Sequence, residues 1–367
     1  MGVSVMGVGF AGAFPTSDGL SYRELIARAA LMAYRDAGIE PEQLDGAVSV
    51  EEDFVSGYSI ADEYVPDQLG VVRKPVYTIC GDFLHGIGSA VMQIETGRFE
   101  MVAVEAYSKA SNILGKDELL HFALDPVFDR LGVSPHYQAA LEMQLFLDAS
   151  GYDLEDVAVV AARNRETALA NPAAAWAARL SVDDVLAGRP VATPLTQPMV
   201  ARHADGAVVV VLGTDEAAAR TARAPVAITG TGWGSGNSVV QRRSAATSVG
   251  TEVAAAQALA EAGITDPAAE IDVFYLADLY PHRQLMHMEA FDLDGSSIEV
   301  INPDGGALGG GDLIEATGGA RLVDAVRQLR GDAGAHQVAD ARRALVHGWR
   351  GVPTDSCAVA VLERRTA

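Results

Sequence analysis

Cys80 is the residue of this chain whose setting most suggests covalent chemistry. The apolar run Val76-Tyr-Thr-Ile79 reads as a buried strand that delivers it. Leu84, Ile87, Val91 and Ile94 then recur at spacings of 3, 4 and 3, one face of a helix that stops at Gly97. The thiol is therefore expected at a strand-to-helix turn. There the helix dipole and unspent backbone N–H groups favour a thiolate and can hold an oxyanion. Cysteines are also common as inert core residues, and the local pattern leaves both roles open. Cys357, in Ser356-Cys-Ala-Val-Ala-Val-Leu362, reads as a core strand residue. Two cysteines so far apart are too few for a disulfide framework or an all-protein zinc site. No bound metal and no permanent cofactor are expected.

The elements that must position Cys80 come from a duplication. Val3-Ser-Val-Met-Gly7-Val-Gly9 reads as a buried strand running into a glycine turn, and Val226-Ala-Ile-Thr-Gly230-Thr-Gly232 repeats it. Helices ending Ala37-Gly38 and Ala262-Gly263 follow, each stopped by a glycine suited to a left-handed C-cap. A second strand comes next in both places, Leu44 to Val50 and Ile271 to Leu276. Two strand–helix–strand units predict an α/β fold with helix-covered sheets. Gly7-Val-Gly9-Phe-Ala-Gly12 also matches a dinucleotide-binding fingerprint. Such a match is weak when no helix opens directly behind it, and its recurrence in the second half points to the fold instead.

Bulk properties exclude some function classes. No apolar run reaches the roughly 18–20 residues that span a bilayer. Met1 to Phe10 has no basic leader and does not read as a signal peptide, so a cytoplasmic protein is expected. A net charge of −22 argues against nonspecific nucleic-acid or anionic-membrane binding.

The cysteine segment resembles the nucleophile helix of thiolases, above all the sterol-carrier-protein type and its archaeal and bacterial relatives. That family places an Ile-x-x-Gly turn seventeen residues after the cysteine, as Ile94 to Gly97 stand here. Further segments are similar in order and spacing: Ala106-Tyr-Ser-Lys109-Ala-Ser111, Arg163 to Pro172, Arg189-Pro-Val-Ala-Thr-Pro194-Leu195, Asp205-Gly206-Ala207, Asn302-Pro-Asp-Gly305-Gly306, and Ala316-Thr317-Gly318. The resemblance implies two duplicated halves, residues 1–222 and 223–367, in a five-layer αβαβα arrangement. It implies an excursion over the active site at about residues 112–198, and usually a homodimer. Coenzyme A enters as substrate, and the implied activity is that of an acyl-CoA C-acyltransferase cleaving or forming a bulky or branched 3-oxoacyl-CoA through an acyl-Cys80 intermediate.

The pattern departs from the family where the chemistry is concentrated. The Gly-His-Pro motif becomes Gly311-Asp312-Leu313, with Asp312 in the histidine's place. A carboxylate near Cys80 would raise the thiol pKa and donate to an oxyanion only when protonated. The His-Asp-Cys-Phe motif becomes Ala277-Asp278-Leu279-Tyr280. What the resemblance leaves is His347 of Leu345-Val-His347-Gly348-Trp-Arg-Gly351 at a family acid/base position, with Tyr280 and His282 as compensating groups. Backbone at Gly348, Gly351 and Gly311 is expected to supply oxyanion donors. His85 reads as packed or solvent-facing. Two alternatives accompany the acyltransferase: a retro-aldolase that uses Tyr280, His282 and His347 without an acyl-cysteine, and a non-catalytic acyl-CoA-binding subunit. Relatives with altered motifs pair with a small zinc-ribbon and OB-fold protein, so such a partner is expected as well.

Overall fold

The computed structural model describes residues 2–52, 61–112, 130, 133–220, 223–237, 247–351 and 354–365. The glycines of the repeat are not turns. Strand β1 (Val3–Phe14) runs straight through Gly7 and Gly9, and β8 (Val226–Ser235) through Gly230 and Gly232. Helix α1 (Tyr22–Ala37) lies so close to β1 that a Cβ on Gly9 would meet the Ala29 carbonyl oxygen at 2.0 Å. A Cβ on Gly232 would meet the Ala254 carbonyl oxygen at 2.1 Å, in the helix over β8. The fingerprint is thus a seat for a closely packed helix, used twice.

Both helices end as expected. Gly38 and Gly263 take left-handed φ of 67° and 68° and cap their helices. Between them the chain forms β2 (Gly46–Val50), β3 (Val76–Ile79), helix α2 (Phe83–Glu95) and β4 (Met101–Lys109). Helices α3 (Pro135–Ala149) and α4 (Leu154–Thr167) and the small hairpin of β5 (Pro190–Ala192) and β6 (Leu195–Thr196) fall in the expected excursion. Residues 113–129 and 131–132 of that excursion, and the expected boundary at 222, lie outside the described residues. The rest comprises β7 (Asp205–Thr214), β8, α5 (Val249–Ala262), β9 (Val273–Tyr275), α6 (Pro281–Ala290), α7 (Thr317–Arg330), β10 (Arg343–Trp349) and β11 (Ser356–Arg364).

The main sheet runs β3-β2-β4-β7-β1-β8-β11-β10-β9. Its two parts meet where β1 and β8 pair antiparallel, Val3 opposite Ile228 and Val5 opposite Val226. Helices α2 and α7 contact strands of both parts and each other, while α1 and α5 cover the outer faces. This makes five layers: helix, strands, central helices, strands, helix. Alternation along β10 sorts the core. Ala344 and Val346 face the central helices with Phe83, Leu84 and Ile87. Leu345 and Trp349 face the outer cluster that includes α5, α6 and the excursion. Among the described residues no helix is long and apolar enough to cross a membrane.

Candidate active site

In sheets of this kind ligands collect at the carboxyl ends of parallel strands. β2 is parallel to β3 and β4, and β9 to β10. The residues that leave these ends are chemically distinctive. Glu51 and Glu52 follow β2, Cys80 follows β3, and Arg350 follows β10. The N–H of Glu51 donates to the Ile79 carbonyl at 3.1 Å, which carries the β2–β3 pairing to the level of Cys80.

Cys80 is exposed and lies three residues before the first turn of α2. The N-cap of that helix is Asp82, whose carboxylate accepts from Leu84 N at 3.1 Å. The same carboxylate accepts from Gly318 N at 2.9 Å, in the first turn of α7. One buried carboxylate therefore ties the N-termini of both central helices, where two helix dipoles favour a negative charge. Gly318 and Gly348 leave room for it: a Cβ on either would come within 2.0 Å of an Asp82 oxygen. Burial pushes the Asp82 carboxyl up to about 6, against the N–H bonds and Arg321, with Asp312 adding to the rise.

Arg350 is the hub of the exposed side. Its guanidinium hydrogen-bonds Glu52. Burial opposes its charge, but the Glu52 bond and the charges of Glu52, Cys80 and Glu315 outweigh that and hold it protonated. Glu315, in the turn Ile314–Ala316 before α7, is 6% exposed. Burial, reinforced by the charges of Glu52, Glu51 and Asp312, pushes its carboxyl well above the usual carboxylate range. The rise favours the protonated carboxyl, the form that can donate a proton or a hydrogen bond. Asp312 completes the group. Its Oδ1 accepts from Ile314 N at 2.9 Å and from the Thr317 hydroxyl at 3.2 Å, and its Oδ2 lies 3.2 Å from His203 Nδ1. His85 stands behind, its Nδ1 3.1 Å from the Asp82 carbonyl oxygen and its Nε2 3.2 Å from Ser356 Oγ. Burial lowers its pKa.

The other residues singled out from the sequence lie elsewhere. His347 points to the outer face of its strand and is fully buried. Its Nε2 is 3.1 Å from Thr251 Oγ1, its Nδ1 accepts from Ala277 N at 3.3 Å, and its ring lies 4.1 Å from that of His287. Burial, then the charges of Arg321, Arg283 and His85, press its pKa well below the usual value, so it is neutral. His282 is also fully buried, 3.2 Å from Glu142 Oε1 of α3. Burial lowers its pKa despite that carboxylate. Tyr280 opens α6, its hydroxyl 3.0 Å from His136 Nδ1. His282 and Tyr280 belong to the packing between α6 and the excursion, and His347 to that between β10, α5 and α6. The N–H of Gly311 is bonded to the Ala307 carbonyl at 2.9 Å and is not a spare oxyanion donor. Gly348 lies within β10 opposite Ala358 and faces Asp82. Gly351 follows Arg350 with a left-handed φ of 96°. Cys357 is buried in β11.

Arg350 thus hydrogen-bonds Glu52 and lies within electrostatic reach of Cys80 and Glu315, with Asp312 among Glu315's charged neighbours. The sequence reading passed over Glu315, Arg350, Glu52 and Asp82. Glu315 had left a signal, a lone acid in the apolar stretch Leu313-Ile-Glu-Ala316.

Comparison with known proteins fits this architecture. A family model described as thiolase C-terminal domain-like matches residues 295–364. The acetyl-CoA acetyltransferase of Methanothermobacter thermautotrophicus is 26% identical over 90% of this chain and 92% of its own length. The 17-hydroxy-3-oxo-4-pregnene-20-carboxyl-CoA lyase of Mycobacterium tuberculosis is 25% identical over 96% of this chain and 97% of its own. Among solved structures, one titled Ltp2-ChsH2(DUF35) aldolase superposes with a TM-score of 0.85 at 23% identity, covering 99% of this chain and 98% of that one. The fold is the thiolase fold, and the resemblance read from the sequence is borne out.

Proposed function

We propose that this thiolase-fold chain cleaves the Cα–Cβ bond of a 3-hydroxyacyl-CoA thioester as a lyase, with carboxyl groups replacing the family's histidines. The observation that carries this reading is the buried Glu315, its carboxyl pKa raised by burial and by the charges of Glu52, Glu51 and Asp312, while His347 and His282 are buried and turned elsewhere. In the proposed reaction Asp312 takes the proton of a 3-hydroxyl group, whose C–O bond becomes a carbonyl. The Cα–Cβ bond breaks and its electron pair passes into the thioester enolate. Arg350 stabilises the enolate oxygen, and Glu315 returns a proton to Cα. The curated relatives include both an acetyltransferase and a lyase that act on CoA thioesters by name, which supports the substrate class and leaves the acyl group to experiment.

The acyltransferase reading keeps one observation in its favour, the charge of Arg350 beside the Cys80 thiol. Replacing Cys80 by alanine separates the two. The lyase predicts that Cys80→Ala retains turnover of a 3-hydroxyacyl-CoA while Glu315→Gln loses it. Loss of activity in Cys80→Ala, with an acyl mark on Cys80 by intact-protein mass spectrometry, would establish the acyl-cysteine route instead. A homodimer that recruits a zinc-ribbon and OB-fold subunit belongs to the same proposal, supported by the two-component title of the aldolase neighbour. Co-purification with zinc analysis tests it; full turnover by a zinc-free homo-oligomer would remove it.

A further inference from the structure

Behind Asp312 lies a second space, partly open to solvent. A cavity of about 30 Å³ lies between the end of β1, residues 171–173, the short helix Gly306–Gly310 and the first turns of α7. That is room for roughly two water molecules. Its polar walls include Thr317, Arg321, Asp304 and Asp324. The Arg321 side chain is 3% exposed. It donates to Asp278 Oδ1 at 2.8 Å and to the His347 carbonyl at 3.4 Å, and its Nε is buried without a protein partner. Asp304 accepts one backbone bond, from Gly306 N at 3.0 Å. A donor and an acceptor so placed are what an enclosed water requires.

The walls lead in two directions. Toward the candidate site, Thr317 Oγ1 lies 3.2 Å from Asp312 Oδ1. Toward solvent, Asp324 accepts from the Tyr275 hydroxyl, and its two oxygens lie 2.9 and 3.1 Å from His336 Nε2. His336 closes the surface turn Gly334–His336, with its side chain 5% exposed beneath that turn. The series from solvent is His336, Asp324, cavity, Thr317, Asp312. Every protein member either titrates or is a hydroxyl that can turn.

We propose that this cavity holds water and, with Asp304, Asp324 and His336, forms the path by which protons pass between solvent and the Asp312–Glu315 pair. The proposal rests on the acid–base reading of that pair. In one turnover Asp312 gains a proton from substrate and Glu315 loses one to it. The path returns the first to solvent and replaces the second, so no net proton is consumed. The titratable groups facing the cavity suit this work. Burial, then the charge of Asp324, pushes Asp304 up to about 7, with Asp278 acting the same way and the Gly306 N–H and Arg321 opposing. Burial opposes charge on His336, but its bond to Asp324 and the charges of Asp324 and Asp304 raise its pKa. Arg327 of α7 also lines the space, and Arg163 of α4 feels the charge of Asp304.

The test follows hydrogen–deuterium exchange at Cα of acetyl-CoA in D2O by mass spectrometry, across the neutral pH range. Ala320→Leu fills the cavity from α7, and Asp304→Asn keeps a polar group that carries no charge. Circular dichroism and melting establish that each variant folds. Both are expected to slow exchange at least about tenfold, as loss of an acid–base step does, with half-saturation by acetyl-CoA unchanged. Asp304→Asn should also flatten the pH dependence near neutrality, and Asp304→Glu should restore it, which a merely structural role would not do. Wild-type rates and pH profile in both variants, with Glu315→Gln inactive, would overturn the path and leave the proposed function standing. A wild-type protein that exchanges nothing would remove both. Infrared difference spectra give an arm without substrate. Of the protonated carboxyl bands that titrate near neutrality, one component should be lost in Asp304→Asn and shift in His336→Gln; a titration unchanged by Asp304→Asn would overturn the path.

Discussion

The resemblance puts the acid/base role on His347, and the proposed function puts it on Glu315. The parity of β10 turns His347 to the outer face, into a buried network with Thr251 and His287. We predict that His347→Ala costs about 2–3 kcal/mol of stability, since buried partners lose their hydrogen bonds and a cavity opens. Its kcat should stay within a few-fold of wild type when measured on the folded fraction. Glu315→Gln should do the opposite, keeping the melting temperature and lowering kcat by about 10²- to 10⁴-fold with KM unchanged. Equal kcat losses in the two variants would put the acid back on the histidine. Cys80 could be read from its own segment because strand, turn and helix face all lie within twenty residues of sequence. Glu315 and Arg350 could not. Their chemistry arises only when α7 and β10 are brought to the ends of β2 and β3, and burial then decides which carboxyl stays protonated.

The elements were far more legible than the site, because each unit announces itself locally. The helix face Leu84, Ile87, Val91 and Ile94 is buried as its spacing predicts, and both glycine caps take the left-handed turn. The misreading was of the paired glycines, whose meaning is tertiary: they are strand residues pressed by a helix. This gives a direct test. Gly232→Ala would set its Cβ 2.1 Å from the Ala254 carbonyl oxygen, and Gly9→Ala would set its own 2.0 Å from that of Ala29. Either should destabilise by about 1–3 kcal/mol as strand and helix are forced apart. Gly151, with nothing within 4 Å of its added Cβ, is the control, and Gly151→Ala should be near neutral. Urea denaturation measures all three, and a Gly232→Ala midpoint matching that of Gly151→Ala would refute the close-packing account. Asp82 links the two central helices in the same physical sense. Asp82→Ala should cost about 1–2 kcal/mol, the worth of a helix cap, because two N-termini lose their acceptor together.

For the molecule as a whole, buried titratable groups set how stability varies with pH, and two sets act with opposite sign. His282, His287 and His347 are fully buried, and their pKa values are lowered by burial before any other cause. Their stabilisation is complete above the ordinary histidine pKa of 6.5 and is lost as pH falls below it, where the unfolded chain takes up protons. The raised acids behave conversely. Burial pushes Glu105 from 4.5 to about 8, against the Ser49 hydrogen bond and reinforced by Glu51. Between those values the folded state holds a proton that the unfolded chain has released, so stability falls as pH rises. Below 6.5 the two sets oppose each other and no slope can be assigned to one residue. Well above 6.5 the contribution of these three histidines is constant, and Glu105 should remove up to about 2 kcal/mol between pH 6.5 and 8, with Asp304 acting in the same direction. Tyr34 of α1 and Glu51 are the other titratable groups that act with Glu105 there. Glutamine matches a protonated glutamate in shape and cannot ionise. Glu105→Gln should therefore already exceed the wild type in urea midpoint at pH 6.5, and exceed it by more at pH 8. If the variant keeps the full wild-type decline over that interval, the carboxyl is not protonated in the folded chain, and Ser49 donates to a buried carboxylate instead.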